Sequence, residues 1–179
     1  DKTKPQILVQ AHLKNDEVTV SLDLVGYSLH QRGYRLQAGE APIKENLAAA
    51  LLLRAGWPSL AAQGYALHDP FCGSGTLVIE AAMMASQVAP GLLRHDQSLI
   101  HWVQHQPSLW EKARSLALQQ VKAIPGLMIS GSDTEASVIN KAFANAERAG
   151  VQLLVHFNVL DSENCRPKSP KGLLICNPP

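Results

Sequence analysis

The sequence lacks several features that mark whole classes of protein. Its three cysteines, Cys72, Cys165 and Cys176, are widely spaced and form no C-x-x-C pair. This spacing excludes a disulfide scaffold and a zinc ribbon, and it indicates a reduced, cytoplasmic protein. No apolar run approaches the roughly 20 residues that a membrane span needs, and residues 1–5 are no signal peptide.

An excess of charge of one sign is also missing. Lysine and arginine together number 16 and the acids 15, so the net charge of +1 gives no support for nucleic-acid binding, although it does not exclude it. With 46% hydrophobic residues, the 179-residue chain can bury a core as one domain, with or without an appended piece. It stops at Asn177-Pro178-Pro179 without a polar tail, so we expect a piece of a longer protein.

The first part of the chain predicts a hairpin, an irregular segment and a helix. Apolar and polar residues alternate over residues 7–24, around turn residues at 14–17. Residues 26–39 are polar and irregular, with Arg-Gly-Tyr-Arg at their centre. We expect a helix from Pro42, at its first position, to about residue 55, with Gly56 at its end and Pro58 preventing its continuation.

From residue 65 the chain alternates strands and helices. We expect helices at 76–86, 109–121 and 135–148, an insertion at 90–107, and strands at 65–69, 127–131, 151–157 and 172–176. This alternation predicts an α/β fold with a parallel sheet and helices on both faces. Ligands of such sheets bind beyond the carboxyl ends of the strands, where this sequence carries Asp69, Asp133, Asp161 and Asn177.

The first strand leads into a glycine-rich turn, Asp69-Pro-Phe-Cys-Gly-Ser-Gly-Thr76. Such a turn lets a ligand approach the backbone and exposes N–H groups at a helix N-terminus. No lysine follows Gly75, which argues against a P-loop, and Val78 replaces the third glycine of a dinucleotide site. An acid before the turn suits a cationic ligand such as S-adenosylmethionine. The alternative is a plain turn with a capping aspartate.

Two further aspartates follow the next strands. A carboxylate at Asp133 can accept both hydroxyls of an adenosine ribose, or it can cap the helix that begins near Glu135. Asp161 can accept a hydrogen bond from an adenine amino group, or it can be a solvated loop acid. The sequence leaves both pairs of alternatives open.

The fourth strand ends at Asn177-Pro178-Pro179. Two prolines fix the backbone and remove its donors, so the Asn177 side-chain carbonyl and the Pro178 carbonyl can both accept hydrogen bonds from an NH₂ group. Holding both protons would aim the nitrogen lone pair at an electrophilic methyl group. A plain loop entry is the alternative.

Other polar residues carry weaker indications. His95, His101 and His105 lack a cysteine or carboxylate at a recognised ligand spacing, so we expect no metal, with His101 and His105 on one helix face. Basic residues that precede Asn177 either contact phosphates or are solvated: Arg166, Lys168 and Lys171.

These motifs together resemble a known family. The glycine-rich turn with Asn177-Pro178-Pro179 looks like the NPPY class of S-adenosylmethionine-dependent methyltransferases. Leu29-His-Gln-Arg-Gly-Tyr-Arg35 and Ala41-Pro-Ile-Lys-Glu-Asn-Leu-Ala48 are similar to RlmL-like, THUMP-associated 23S rRNA guanine-N2 methyltransferases. The resemblance covers almost the whole chain. Two features of the family are missing from this sequence: the aromatic residue that ends the motif, on which a flipped base would stack, and three of the seven sheet strands.

The resemblance implies a fold, a cofactor and partners. The fold would be the N-terminal part of a Rossmann-like class I methyltransferase domain, residues 29–179, preceded by residues 1–28 as a β-hairpin linker from, or the tail of, an upstream THUMP domain. The partner would be large-subunit ribosomal RNA, with no membrane and no metal. The chain alone would be inactive without the downstream remainder of its domain.

The resemblance also assigns residue roles. The methionine end of S-adenosylmethionine would be held by Asp69, Phe71, Cys72, Gly73, Gly75 and Thr76. Asp133 would hold the ribose and Asp161 the adenine, while catalysis would use Asn177, Pro178 and Pro179. The alternatives are the same chemistry on adenine N6 or on a protein glutamine, and a non-catalytic RNA-binding module.

Overall fold

The computed structural model describes residues 6–36, 43–94, 98–166 and 169–178. The strands are β1 (Leu8–Lys14), β2 (Glu17–Asp23), β3 (Ala66–Asp69), β4 (Ile129–Asp133), β5 (Val155–Val159) and β6 (Gly172–Leu174). The helices are α1 (Glu45–Arg54), α2 (Trp57–Ala62), α3 (Thr76–Ala85), α4 (Pro107–Gln119) and α5 (Ala136–Arg148). Within these ranges, no helix combines the length and the apolar character that crossing a membrane requires.

Strands β1 and β2 form the predicted hairpin. Lys14 pairs with Glu17, and the two residues between them, Asn15 and Asp16, have φ angles of 49° and 63°. A two-residue turn with positive φ at both positions matches the twist of the strands, and asparagine and aspartate tolerate that conformation.

One face of this hairpin is apolar and exposed to solvent. The register places on it Val9 opposite Leu22, Ala11 opposite Val20, and Leu13 opposite Val18. Leu13 and Val20 are 69% and 64% exposed, and all residues of β1 are exposed. An isolated two-stranded sheet gains little stability in water, so this face is suited to packing against further structure.

Two helices, rather than one, follow the irregular segment. The described part of α1 begins at Glu45, and Pro42 lies outside the described residues. Gly56 adopts a left-handed φ of 74°, as expected for a helix end. As predicted, α1 does not continue past residue 55, but α2 was not predicted from the sequence. Pro58 lies in the first turn of α2, where its missing N–H has no helical partner to lose.

The second sheet is parallel and has the strand order β5-β4-β3-β6. The chain first runs outward from β3 through β4 to β5 and then returns to place β6 on the other side of β3. The direction reverses between β3 and β6, and a crevice forms at such a switch point outside the carboxyl ends of the strands. The α/β prediction with four parallel strands is therefore confirmed.

Several strand boundaries differ from those predicted. Strand β5 begins at Val155 instead of the predicted residue 151, because residues 152–154 form a turn after α5. It also extends past the predicted end at residue 157 and includes Asn158. Strand β4 extends to Asp133, and β6 ends at Leu174, although the Ile175 amide still donates to the His68 carbonyl at 3.1 Å. Apolar runs locate strands, but they do not distinguish a strand from the turn beside it.

The two faces of the parallel sheet differ in chemistry. Leu67, Ile129 and Phe157 lie on the face that packs against α3 and α5, and α3 is buried over most of its length. The other face carries His68 with Ser130 2.9 Å away, and the Cys165 sulfur lies 3.2 Å from the Ser132 hydroxyl. Cys165 belongs to the connection from β5 to β6, which contains the 3₁₀ turn Ser162–Asn164.

The insertion at 90–107 contains two 3₁₀ turns, Pro90–Leu93 and Ser98–His101. Arg94 is buried and donates to the carbonyls of Tyr27, Ser28 and Gln31, and its guanidinium stacks 3.8 Å from the Tyr27 ring centroid. The insertion thus holds the segment that follows the hairpin against the rest of the domain.

Candidate functional site

An open cleft of about 1010 Å³ lies at the carboxyl edge of the parallel sheet. It is lined by the tip of β3 and the glycine-rich turn, the tip of β4 with the start of α5, the segment after β5, and the segment after β6. Of the predicted site residues, the lining includes Asp69, Phe71, Cys72, Gly73, Thr76, Asp133, Asp161, Asn177 and Pro178. The topology therefore brings together residues that are more than 100 positions apart in the sequence.

The glycine-rich turn is held in place by backbone bonds and close packing. The Cys72 amide donates to the Ser132 carbonyl at 2.9 Å, and the Gly75 amide donates to the Cys72 carbonyl at 2.8 Å. Gly75 has a φ of +85°, and a Cβ there would lie 2.9 Å from the Phe157 ring and 3.0 Å from Ala142. Gly75 thus faces the core, and its contribution to the cleft is the close approach of the turn to α5 and β5.

Asp69 is a buried acid at the tip of β3. It is 2% exposed, and its carboxylate accepts a hydrogen bond of 3.0 Å from the Phe71 amide. Burial raises the pKa of Asp69 to about 7, because the charged form loses solvation, and the nearby Asp133 adds to the rise while the Phe71 amide opposes it. A cation in the cleft would favour the charged form of this carboxylate.

Asp133 links the tip of β4 to both neighbouring loops. One carboxylate oxygen accepts from the Gly73 amide at 3.0 Å, and the other accepts from the Glu135 amide at 3.1 Å. The bond to Glu135 closes a turn just before α5 and is not the predicted cap, because Glu135 is itself the N-cap residue and α5 has no side-chain cap. Each oxygen keeps a lone-pair site, so the carboxylate can still accept two hydroxyl groups from the cleft.

The cysteines near the cleft are not activated thiols. Burial raises the pKa of the Cys72 thiol above its usual value, and the Asp69 and Asp133 charges raise it further. Burial also raises the pKa of Cys176, which precedes Asn177. A thiolate is the nucleophilic form of cysteine, so both sulfurs are in environments that disfavour nucleophilic catalysis.

The remaining predicted residues lie at the tips of β5 and β6. Asp161 is exposed, and its carboxylate accepts a bond of 2.8 Å from the Glu163 amide at the start of the 3₁₀ turn. Asn177 and Pro178 are exposed and line the cleft. Pro179 lies outside the described residues.

The cleft also contains residues that the sequence did not single out. They are Ile43, Leu77, Thr134, Glu135, Val138, Lys141 and Ser162. Glu135, Val138 and Lys141 are spaced three apart at the start of α5, the helix that follows Asp133. This helical spacing next to a predicted site residue is the signal that could have found them.

The structure favours the solvated alternative for Lys171, which is exposed, and it contradicts the expected helix face of His101 and His105. Lys171 accepts a backbone bond from Ala66, at the amino end of β3, so it lies at the sheet edge opposite to Asn177, with its ammonium 5.8 Å from the Tyr65 ring centroid. His101 ends a 3₁₀ turn and His105 lies in the loop before α4, so they share no helix face. His95 and Lys168 lie outside the described residues, and Arg166 donates to the Glu163 and Cys165 carbonyls.

Among the described residues, no three histidine, cysteine or acidic side chains form a group that could hold a metal ion. The site instead combines a parallel sheet with a switch point, a glycine-rich turn entering a helix, and acids at three strand tips. This combination is typical of a Rossmann-like ligand-binding fold, the fold class that includes the class I methyltransferases.

Comparison with known proteins gives the family. Residues 32–179 match the family described as RMKL-like, methyltransferase domain, and the chain belongs to this family. The sequence is 68% identical over 179 residues to the ribosomal RNA large subunit methyltransferase K/L of Legionella pneumophila (strain Lens), and 49% identical over 185 residues to the protein of that name from Pseudomonas aeruginosa. Both alignments cover the whole chain.

Solved structures show the same fold. A predicted N6-adenine-specific DNA methylase from Listeria monocytogenes aligns with a TM-score of 0.86 and 37% identity, over 96% of this chain and 44% of that one. SMU.472, a protein proposed to be a methyltransferase and solved in complex with SAH, aligns with a TM-score of 0.82 and 34% identity, over 96% and 43%. The chain spans about a quarter of the length of the curated relatives that it matches.

Proposed function

We propose that this chain is the S-adenosylmethionine-binding part of a methyltransferase that modifies the exocyclic N2 amine of a guanine in 23S ribosomal RNA. The observation that carries the proposal is the meeting of Asp69, Asp133 and Asp161 with Asn177 and Pro178 around one cleft. The names of the relatives from Legionella pneumophila and Pseudomonas aeruginosa support large-subunit ribosomal RNA as the substrate. The unpaired state of all three cysteines is consistent with a cytoplasmic enzyme.

The cleft residues suit this cofactor. S-adenosylmethionine carries a cationic ammonium and sulfonium and supplies an electrophilic methyl group. Asp69 and the turn from Phe71 to Gly75 would hold its methionine end, since the Asp69 carboxylate at the cleft complements a cationic ammonium group. The free lone pairs of Asp133 would accept the ribose hydroxyls, and Asp161 the adenine amine. The SAH complex of SMU.472 supports this choice of ligand.

Asn177 and Pro178 would hold the acceptor. Both are exposed at the cleft, next to the tip of β3, because β6 pairs with β3. The Asn177 side-chain carbonyl and the Pro178 backbone carbonyl would each accept one N–H of the guanine amine. Binding both protons would direct the nitrogen lone pair toward the methyl group and stabilise the positive charge that develops on the amine.

A second acceptor class has one observation in its favour. The aligned protein from Listeria monocytogenes is named as a DNA adenine methylase, and adenine N6 is also a planar NH₂ group. A protein glutamine would meet the same two carbonyls. Both curated relatives are named for ribosomal RNA at higher identity, so we favour RNA. A non-catalytic RNA-binding module gives no reason for three acids at the strand tips.

We further propose that the chain works within a larger protein. Residues 1–28 would belong to an upstream THUMP domain, and the exposed apolar face of the hairpin, with Leu13 69% exposed, would pack against it. The downstream remainder of the methyltransferase domain would complete the site around Asn177. The partial coverage of the relatives supports this arrangement.

Methyl transfer by the natural full-length protein tests the proposal. Radiolabelled S-adenosylmethionine should label 23S ribosomal RNA, and nuclease digestion should recover the label as N2-methylguanosine. Asn177→Ala should abolish this labelling and leave cofactor binding within about twofold in calorimetry, because Asn177 contacts the acceptor and not the cofactor. Label in DNA or protein instead of RNA would refute the RNA substrate, and undiminished labelling by Asn177→Ala would refute its role.

A further inference from the structure

Residues 32–35, Arg-Gly-Tyr-Arg, form a segment that the proposed function does not use. We call it the RGYR segment. It lies between the hairpin and α1, and it is held by the insertion, by α3 and by α5. Two separate sets of contacts run from this segment to the lining of the cleft.

The first set is made by Arg35. Its guanidinium donates to the Ile43 carbonyl at 3.0 Å and to the Thr76 hydroxyl at 3.4 Å, and it forms an ion pair of 3.0 Å with Glu45. Ile43 and Thr76 line the cleft, and Thr76 is the first residue of α3. Arg35 therefore connects two parts of the cleft lining, Ile43 before α1 and Thr76 at the start of α3.

The second set begins at the backbone of Tyr34. The Arg148 Nε donates to the Tyr34 carbonyl at 2.6 Å, and the same guanidinium donates to the Asn145 side-chain carbonyl. The Asn145 amide group donates in turn to the Ser74 carbonyl at 3.0 Å. Asn145 is 1% exposed, so its amide has no water with which to replace a lost partner. Ser74 belongs to the glycine-rich turn and lines the cleft.

The RGYR segment is itself held in one position. The Tyr34 hydroxyl donates to Glu80 at 3.1 Å, and Arg32 pairs with the same carboxylate at 3.5 Å. Gly33 has a φ of +105°, and a Cβ there would lie 2.5 Å from the Leu93 carbonyl. A segment with these contacts has little freedom to shift, so its contacts can transmit its position to the turn.

We propose that Arg35 and Asn145 are positioning residues for the glycine-rich turn, and that cofactor binding at the turn is thermodynamically linked to the seating of the RGYR segment. The inference rests on the proposed S-adenosylmethionine site. Linkage is reciprocal, so a seated segment raises the affinity for the cofactor, and the bound cofactor stabilises the segment.

Two variants test the contacts separately, in the natural full-length protein. Arg35→Ala removes the bonds to Ile43 and Thr76. Asn145→Asp is nearly isosteric and keeps an acceptor for Arg148, but it cannot donate to the Ser74 carbonyl. We expect each variant to weaken S-adenosylmethionine binding in calorimetry by about tenfold. In the wild type, the cofactor should also slow amide hydrogen exchange in residues 32–36 more than in residues 27–31.

Two matched controls separate positioning from general destabilisation. Arg94→Ala removes a buried arginine whose hydrogen bonds go to the carbonyls of residues 27–31 and not to the glycine-rich turn, so it should lower Tm and leave the Kd within about twofold. Arg54→Ala removes the same charge from an exposed position in α1 and should change neither quantity.

The outcomes are distinguishable. If wild-type protein does not bind S-adenosylmethionine, the proposed function fails. If it binds and the two test variants weaken binding no more than Arg94→Ala at an equal loss of Tm, the positioning role is refuted. A tenfold loss in the test variants alone, with cofactor-dependent protection of residues 32–36, supports it.

Discussion

At the residue scale, two acids in the same cleft have different environments. Asp69 is 2% exposed and carries a pKa raised to about 7, whereas Asp161 is exposed and caps a 3₁₀ turn. Asp133 is intermediate in burial between these two acids, and two backbone amides donate to its carboxylate. The chemistry of each acid follows from burial and partners rather than from residue type.

The raised pKa of Asp69 predicts opposite pH dependences of stability and of cofactor affinity. Between about pH 4 and pH 7 the folded state keeps a proton that the unfolded state has lost, so the free energy of unfolding falls as the pH rises through this range. Cofactor affinity should rise over the same range, because the ionised carboxylate binds the cation. Affinity at pH 6 should be about one tenth of its value at pH 8, since about one molecule in eleven is ionised one unit below the pKa.

Chemical denaturation and calorimetry across this pH range check both trends against Asp69→Asn. The variant should show a flatter stability profile than wild type between pH 4 and 7, and an affinity with little pH dependence. Parallel profiles for the two proteins would show that Asp69 is not the titrating group.

At the element scale, the glycine-rich turn depends on α5 and β5 as much as on its own sequence. Gly75 approaches Phe157 and Ala142 so closely that a methyl group has no space, and Phe157 packs edge-on against Phe143 with ring centroids 5.4 Å apart. The turn is therefore shaped by Ala142 and Phe157, which follow Gly75 by 67 and 82 positions in the sequence.

This close approach predicts a large difference between two glycine substitutions. Gly64 and Gly75 both have positive φ, at +77° and +85°, but a Cβ at Gly64 would meet nothing within 4 Å. Gly64→Ala should lower the free energy of unfolding by about 1–2 kcal/mol, because alanine is strained in the left-handed conformation. Gly75→Ala should cost a further 1–3 kcal/mol, roughly, from overpacking, and should weaken cofactor binding.

Urea denaturation of the two variants measures the difference directly. Gly64→Ala serves as the control for backbone strain, because the two alanines differ chiefly in the space around the new methyl group. Equal losses of stability would mean that the core around Phe157 accommodates the methyl group and that close packing does not restrict Gly75.

At the scale of the whole molecule, two surfaces indicate further structure. The hairpin exposes six apolar side chains on one face, and Asn177 and Pro178 are exposed at the cleft although the proposed acceptor binds there. A site that transfers a methyl group to RNA needs walls that exclude water and hold the base.

We expect a chain that continues beyond residue 179 to transfer methyl groups to 23S ribosomal RNA, and residues 1–179 alone to give no turnover. The reason is that the continuation would supply the stacking surface for the base and complete the sheet. Scintillation counting of RNA incubated with each chain measures the difference, with circular dichroism as the control for folding. Equal turnover by the two chains would show that residues 1–179 hold a complete site.

Local physical rules made much of this protein predictable from its sequence. Alternating apolar residues around Asn15 and Asp16 predicted the hairpin, and strand–helix alternation predicted the parallel sheet, because side-chain periodicity reflects backbone geometry. The strand-tip acids and Asn177 were singled out by their positions, since ligands of parallel sheets bind beyond the carboxyl ends of the strands, and these residues do line one cleft.

Only the tertiary structure decided the remainder. The start of β5 and the role of Pro58 depend on where packing makes a turn or helix more stable, which periodicity does not report. The raised pKa of Asp69 and the contacts of Arg35 and Asn145 arise from residues that are distant in the chain and adjacent in space. Burial and long-range contact are properties of the folded chain, so a local pattern of residues cannot specify them.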